Sequence, residues 1–376
     1  MNKERLIDQF MEMVQVDSET GHEREIADYL LKIFNEMDVE VYEDDTQKET
    51  GYGAGNIFVR LKGDDEKAEP VYFTVHMDTV VPGLGIKPSI EGDYIVSDGS
   101  TILGSDDKAG IAAIIEAVRS LSESGVSHGD VEFVITVGEE SGLVGAKAFD
   151  TSVLKSRYGY AVDSTGKVGT VVTSAPTQSK IEAHIHGRTA HAGVAPEEGV
   201  SAITIASKAI SKMKLGRIDS ETTANIGKFE GGGPTNVVTD YVNILAEARS
   251  QDDEKMKAQT KHMIEAFESA AEELGGRADV NSEVMYSALE AQEDSEVVRT
   301  VTKAIENIGR EVSLISLGGG SDGNIFAGKG IDTAILGLGY ENIHTTSERM
   351  PVEELAKITE LIIEIIKVQK EMGSSD

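Results

Sequence analysis

The sequence predicts an α/β protein in two parts: a sheet-and-helix domain built from residues 1–177 and 291–376, interrupted at 178–290 by an α+β insert. Three observations predict it. Short runs of β-formers, such as Val71–Val75 and Val131–Val137, read as buried strands and alternate with stretches of helical periodicity. From about Ser179 to Tyr286 the pattern changes to half-exposed strands and two helices in the order β-α-β-β-α-β, a ferredoxin-like arrangement. After residue 291 the first style returns, and 376 residues are too many for one typical domain and comfortable for two.

The elements follow in order. Leu6, Ile7, Phe10, Met11 and Val14 form a helical stripe, and Ile26, Tyr29, Leu30, Ile33 and Phe34 form a second. Val39–Tyr42 and Asn56–Leu61 read as strands, with Gly51–Gly55 as a plain loop lacking the spacing of a phosphate loop. Val71–Val75 is a strand that runs out in His76-Met77-Asp78. Tyr94–Val96 is a short strand, and Asp106-Asp107 precedes a helix over 111–121. One acid there is explained by capping and the helix dipole, two less well. Val131–Val137 ends in Gly138-Glu139-Glu140-Ser141-Gly142, and Tyr158–Val162 ends in Asp163-Ser164. Four strand ends in succession thus bring a His, Asp or Glu, and chemistry in open α/β sheets collects at the carboxyl ends of strands.

The insert reads as strand 180–186, a loop carrying His191, helix 200–213, strand 222–229, a glycine loop carrying Asn236, strand 242–248 ending at Arg249, helix 253–274 and strand 278–286. The remainder reads as helix 295–308, strand 311–315, the turn Leu317–Gly323, strand 333–338 leading to His344, and a last helix over 351–370.

Composition excludes several classes. Lys and Arg number 35 against 66 Asp and Glu, a net charge of −31, which disfavours nucleic acid and anionic membrane surfaces as partners and favours cations. There is no cysteine, so neither disulfides nor thiolate metal sites arise, and any metal must be held by imidazoles and carboxylates. The amino-terminal segment reads as an amphipathic helix and not as a signal peptide, and no stretch is apolar enough to cross a bilayer, so the expected location is the cytoplasm.

Together, His76, Asp106, Glu140, Asp163 and His344 supply two imidazoles and three carboxylates, a set suited to two zinc ions that would also accept manganese or cobalt. Metal-assisted hydrolysis then needs a separate base, for which Glu139 stands beside Glu140, while Asp78 is placed to orient His76.

The stretches HMDT, LGSDDKAG, GEESG, AVDS and His344-Thr345-Thr346-Ser347-Glu348 come in one order over nearly the whole chain. In this they resemble the co-catalytic dinuclear zinc peptidases of the peptidase T, carboxypeptidase G2 and aminoacylase type. The resemblance implies a catalytic domain with a central mixed sheet between helices and an insert that serves as lid and homodimer interface. It implies that His76, Asp106 and Asp163 hold one ion and Asp106, Glu140 and His344 the other, with Asp106 bridging. Glu139 would be general base and acid, and Asp107 not a ligand. His191 would steady the oxyanion, often from the partner subunit, and Asn236 and Arg249 would hold a substrate carboxylate. The implied reaction is hydrolysis of short peptides in a tripeptidase- or aminopeptidase-like manner. The alternative is a carboxypeptidase or an amidohydrolase acting on N-acyl amino acids. One departure stands out: Gly318 precedes the turn Gly319–Gly323 where peptidase T has an Arg, and the Asn236 loop is nearer the carboxypeptidase G2 side.

Overall fold

All six residues of strand Val71–His76 are buried. Neighbouring side chains of a strand point to opposite faces, and here both faces are covered. Phe73 packs with Phe133 and Tyr160, ring centroids 5.8 and 5.7 Å away, while Tyr72 packs with Phe326 at 5.1 Å. A strand buried on both sides reads as a continuous apolar run, which is why this one is legible as an unbroken stretch of β-formers.

The computed structural model describes residues 1–373. The chain divides into two units: Met1–Ser174 with Leu289–Leu317 and the chain from Ser321 onward, and Ala175–Ala288 with Gly318–Gly320.

The first unit is built on a mixed sheet in the order Glu40–Glu43, Ile57–Leu61, Val131–Thr136, Val71–His76, Tyr158–Ser164, Asp332–Gly337, Thr170–Ala175, Leu289–Glu290, with Ser313–Ser316 paired to Thr170–Ala175. The four central strands, Val131–Thr136, Val71–His76, Tyr158–Ser164 and Asp332–Gly337, are mutually parallel, so their carboxyl ends share one edge. Thr170–Ala175 is a strand that the sequence reading passes over. Helix Ser105–Ser124 packs on the Val71–His76 strand and is itself covered by the last helix, Val352–Gly373. Gly110 permits the close approach, because a Cβ there would lie 2.8 Å from Val75 Cγ1 and 2.5 Å from Asp107 Oδ1. The last helix buries Leu355, Ile358, Leu361, Ile362, Ile365 and Ile366, a stripe of period 3.6.

The second unit carries a five-stranded antiparallel sheet, ordered Gly216–Arg217, Thr222–Gly231, Tyr241–Ser250, Thr177–His186, Arg277–Tyr286, with helices Ala202–Lys212 and Asp253–Leu274 between strands. This is the ferredoxin-like order with one two-residue strand added at an edge. Ile181, Ala183 and Ile185 are fully buried, while Lys180, Glu182 and His184 between them face the other way. The long helix is capped by Asp252, whose carboxylate accepts from the N–H of Glu254 and Lys255, and ends at Gly275 in the left-handed region, φ 73°.

Candidate active site

Three of the four central parallel strands deliver His76, then Glu139 with Glu140, then Asp163 just past or at their carboxyl ends, and the fourth leads into the loop with Tyr340 and His344. Asp106 comes instead from the first turn of helix Ser105–Ser124, not from a strand end as the succession of motifs suggested. Its φ/ψ of −85°/102° and those of Asp107 at −120°/27° are not helical, and the peptide between them is cis.

Asp106 divides its two oxygens. Oδ1 lies 3.0 Å from His76 Nε2, and Oδ2 lies 3.1 Å from His344 Nε2. His344 Nε2 is also 2.8 Å from Glu140 Oε1, and His76 Nε2 is 3.7 Å from Asp163 Oδ1. One carboxylate thus faces two separate imidazole-carboxylate pairs. Donor atoms of His76, Asp106 and Glu140 lie within 4.8 Å of one another, as do those of His76, Glu139 and Asp163.

Asp78, fully buried, holds this arrangement from behind. Its Oδ1 accepts from Glu139 N–H at 3.0 Å, and its Oδ2 accepts from Glu140 N–H at 3.3 Å and from the Thr20 hydroxyl at 2.8 Å. His76 Nδ1 lies 3.0 Å from the Asp78 carbonyl oxygen and 3.4 Å from its carboxylate, which fixes Nε2 as the nitrogen facing Asp106. Asp107 turns away from the cluster, with Oδ2 accepting from the His76 backbone N–H at 3.2 Å.

The electrostatics are those of a pocket short of positive charge. Burial pushes the Asp163 carboxyl up to about 6, with the Asp106 and Glu140 charges adding and His76 opposing. Burial, then the charge of Asp163, pushes Glu139 well above the usual carboxylate range. His344 is pushed up to about 10 by its hydrogen bonds to Asp106 and Glu140. Burial opposes protonation of His76, yet the surrounding Asp163, Asp106 and Asp78 raise its pKa well above the ordinary value. Among the described residues no Lys or Arg forms an ion pair with Asp78, Asp106, Glu139, Glu140 or Asp163. Buried anions need a countercharge, and an imidazole-carboxylate set of this kind fits divalent cations.

The sequence reading missed other contributors. The Tyr340 hydroxyl donates to Asp163 Oδ1 at 3.1 Å. Asp322, at the first turn of helix Asp322–Gly328, accepts from the Thr136 hydroxyl at 2.5 Å, and burial pushes its carboxyl up to about 7. The usable signal for Tyr340 is its place three residues after strand Asp332–Gly337, at the same sheet edge; Thr20 carries none.

The remaining candidates lie in the second unit. His191 and Asn236 are exposed and adjacent: residue 191 bridges to Val237, and Ala192 N–H donates to the Asn236 carbonyl at 2.9 Å. Arg249 is engaged by Glu247 through two bonds of 2.8 and 3.1 Å, and its Nη1 reaches Tyr286 Oη and the Gly318 carbonyl at 3.3 and 3.2 Å.

Comparison with known proteins matches residues 72–368 to peptidase family M20/M25/M40. An uncharacterized protein of Bacillus subtilis (strain 168), YqjE, is 57% identical over 98% of this chain and 99% of its own. Among solved structures, aminopeptidase PepT from Bacillus cereus ATCC 10987 is 60% identical, with a TM-score of 0.93 over 98% of this chain and 99% of that one. A tripeptidase from Staphylococcus aureus subsp. aureus mu50 is 48% identical, with a TM-score of 0.96 over 99% of each chain. With a match over most of the chain and these relatives spanning nearly its full length, this chain belongs to peptidase family M20/M25/M40 and is a hydrolase of the peptidase T-like kind.

Proposed function

We propose that this peptidase removes the amino-terminal residue from short peptides, tripeptides foremost, at a centre of two divalent ions. The observation that supports this reading most is the divided carboxylate of Asp106, which turns one oxygen to each imidazole. His76, Asp106 and Asp163 would hold one ion, and Asp106, Glu140 and His344 the other. Zinc suits the set, and manganese or cobalt would also be accepted. Ions bound there supply Lewis acidity toward a peptide carbonyl and toward water.

The chain's own residues do the rest. Glu139, fixed through its backbone N–H by Asp78, takes a proton from the attacking water on a carboxylate oxygen and passes it to the leaving amine. Asp78 keeps His76 in one tautomer through its carbonyl oxygen and holds the Glu139–Glu140 backbone with its carboxylate. His191 is proposed to steady the oxyanion, and Asn236 with Arg249 to meet the far end of the peptide. The similarity to a PepT aminopeptidase and a tripeptidase supports the substrate class. The insert is proposed to act as lid and as the contact of a homodimer: among the described residues, the outer edge of strand Thr222–Gly231 is paired at Thr222, Thr223 and Ala224, and no strand pairs with it beyond them. A cytoplasmic location goes with this reading, in which the substrates are short peptides; among the described residues no helix is long and apolar enough to cross a membrane.

The test is product analysis on free, N-acetylated and C-amidated tripeptides and on N-acyl amino acids, with added zinc, manganese or cobalt and a chelated control. Metal-dependent release of the first residue, abolished by N-acetylation, is the expected result. Cleavage of N-acyl amino acids alone would replace this reading with an amidohydrolase.

A further inference from the structure

Glu348 stands four residues beyond His344 and is 2% exposed. A carboxylate so buried must have its oxygens satisfied, and all four of its donors come from one stretch 242–245 residues earlier in the chain. Oε2 accepts from the N–H of Leu103 at 2.8 Å and of Gly104 at 2.9 Å. Oε1 accepts from the Ser105 hydroxyl at 2.6 Å and from the N–H of Asp106 at 3.2 Å. Glu348 therefore grips the backbone that carries Asp106.

At its other end it anchors the loop of His344. The Glu348 N–H donates to the Thr345 carbonyl at 3.2 Å, closing the turn that joins them. That loop needs an anchor. Asn342 and His344 both sit in the left-handed region, φ 56° and 63°, which non-glycine residues adopt uncommonly, Asn and His more readily than most. The His344 side chain is 48% exposed, and its ring is met by Asp106 and Glu140 through Nε2 alone. His76, by contrast, is 1% exposed and sits in a buried strand. Packing fixes one imidazole; only the loop fixes the other.

We propose that Glu348 is the positioning residue that registers His344 against Asp106 and so sets the affinity of the His344-side ion. This inference rests on the two-ion reading above. Glu348→Gln keeps the volume but replaces one acceptor oxygen with an NH2 that faces donors, so half the grip is lost. The ion on the His344 side then binds on the order of 10–100-fold less tightly, while the ion at His76 and Asp163 changes by less than about threefold. Ser105→Ala removes one of the four bonds and weakens the same step by about 2–5-fold.

The experiment is a calorimetric titration of the full-length, chelator-stripped chain with zinc ions, below the melting temperature of each stripped protein. Native chain, E348Q, S105A and H344A are compared, with H344A marking the step that belongs to His344. Selective loss of that step in E348Q, a smaller selective loss in S105A, and recovery of native kcat by E348Q at saturating zinc are expected. Two steps that shift together, or neither shifting, would overturn the proposal. Should stripped E348Q not be folded at the titration temperature, S105A decides alone, and a step at His344 unchanged from native rejects the proposal. A native chain with one step, or with two steps indifferent to H344A, would instead remove the two-ion reading and this inference with it.

Discussion

The two units of this chain handle polar residues in opposite ways. In the first, strands Val71–His76 and Val131–Thr136 are buried on both faces, so a polar side chain at their ends has no water to turn to. His76, Asp78, Asp106, Asp107 and Asp322 are all nevertheless 7% exposed or less. In the second, strand Thr177–His186 alternates, and Lys180, Glu182, His184 and His186 occupy the less buried face. A histidine therefore carries a different message in each place. Buried among carboxylates it costs stability that only chemistry offsets, whereas on an open sheet face, like His186 beside Asp279 at 3.1 Å, it is a solvated surface group.

The largest expected effect tests that contrast on activity. Glu139→Gln should lower kcat by about 10²–10⁴-fold, the range for a lost general acid-base group, with bound metal unchanged. His186→Gln, on the open face of the insert, should leave kcat within about twofold, as surface substitutions do. Steady-state kinetics with metal analysis on both variants checks it. Full activity in Glu139→Gln would remove the proton-transfer role.

Next in size is the core of the insert. Phe267 is fully buried among Ile205, Met263 and Ala270 in a core made of one sheet face and two helices. Phe267→Ala should cost about 3–5 kcal/mol, read from the urea midpoint. Because the insert has its own core, the transition should split in two, with the first unit unfolding at its native midpoint. One unshifted transition would show that this core contributes little.

Legibility followed the same division. Strands buried on two faces stand out as apolar runs, and the alternating strands of the insert are equally plain, which is why helix Asp253–Leu274 and the β-α-β-β-α-β order are readable from periodicity. Thr170–Ala175 escapes because its half-buried Thr and Ser residues give neither pattern, and Thr46–Thr50 because all five of its residues are polar. At the site, the short motifs themselves were legible; the contacts made across the chain were not, even for Glu348, which closes one of those motifs. Tyr340 meets Asp163 at a separation of 177 residues and Glu348 meets Asp106 at 242, and no local spacing encodes either.

A smaller effect compares one ion pair from each unit. Glu116, 1% exposed at its side chain, accepts from Arg5 Nε at 2.8 Å, from Asn2 N–H at 2.7 Å and from the Ser120 hydroxyl at 2.9 Å. Burial pushes its pKa up, but these donors outweigh burial and lower it below 4.5. Glu247, 32% exposed, is likewise lowered, with burial opposing and Arg249 as the strongest favourable partner. A lowered folded-state pKa means stability that is fully present above the unfolded value and lost as pH falls through the folded value. Glu116→Gln should therefore cost about 1.5–3 kcal/mol at pH 7, with the gap from the native chain closing as pH drops below 4.5. Glu247→Gln should show the same shape at about 0.5–1 kcal/mol, since solvent screens it. Denaturation midpoints between pH 3 and 7 check both, and a gap that widens in acid would contradict the assignment.

The smallest expected effect separates folding from assembly. Phe229 lies on the strand whose outer edge is largely open and is itself 42% exposed. It touches no core that folding must complete, so Phe229→Ser should change the stability of the chain by less than about 0.5 kcal/mol. A homodimer built on that edge would feel the change differently, because an exposed aromatic at an interface carries energy that it does not carry in the isolated fold. Light scattering over a dilution series should then show Phe229→Ser dissociating at higher concentration than the native chain, with an unchanged urea midpoint for the monomer. If self-association is untouched, that edge is not a contact between copies of the chain. If the monomer midpoint falls instead, the open face is better packed than its alternating pattern implies, and the contrast between the two units weakens.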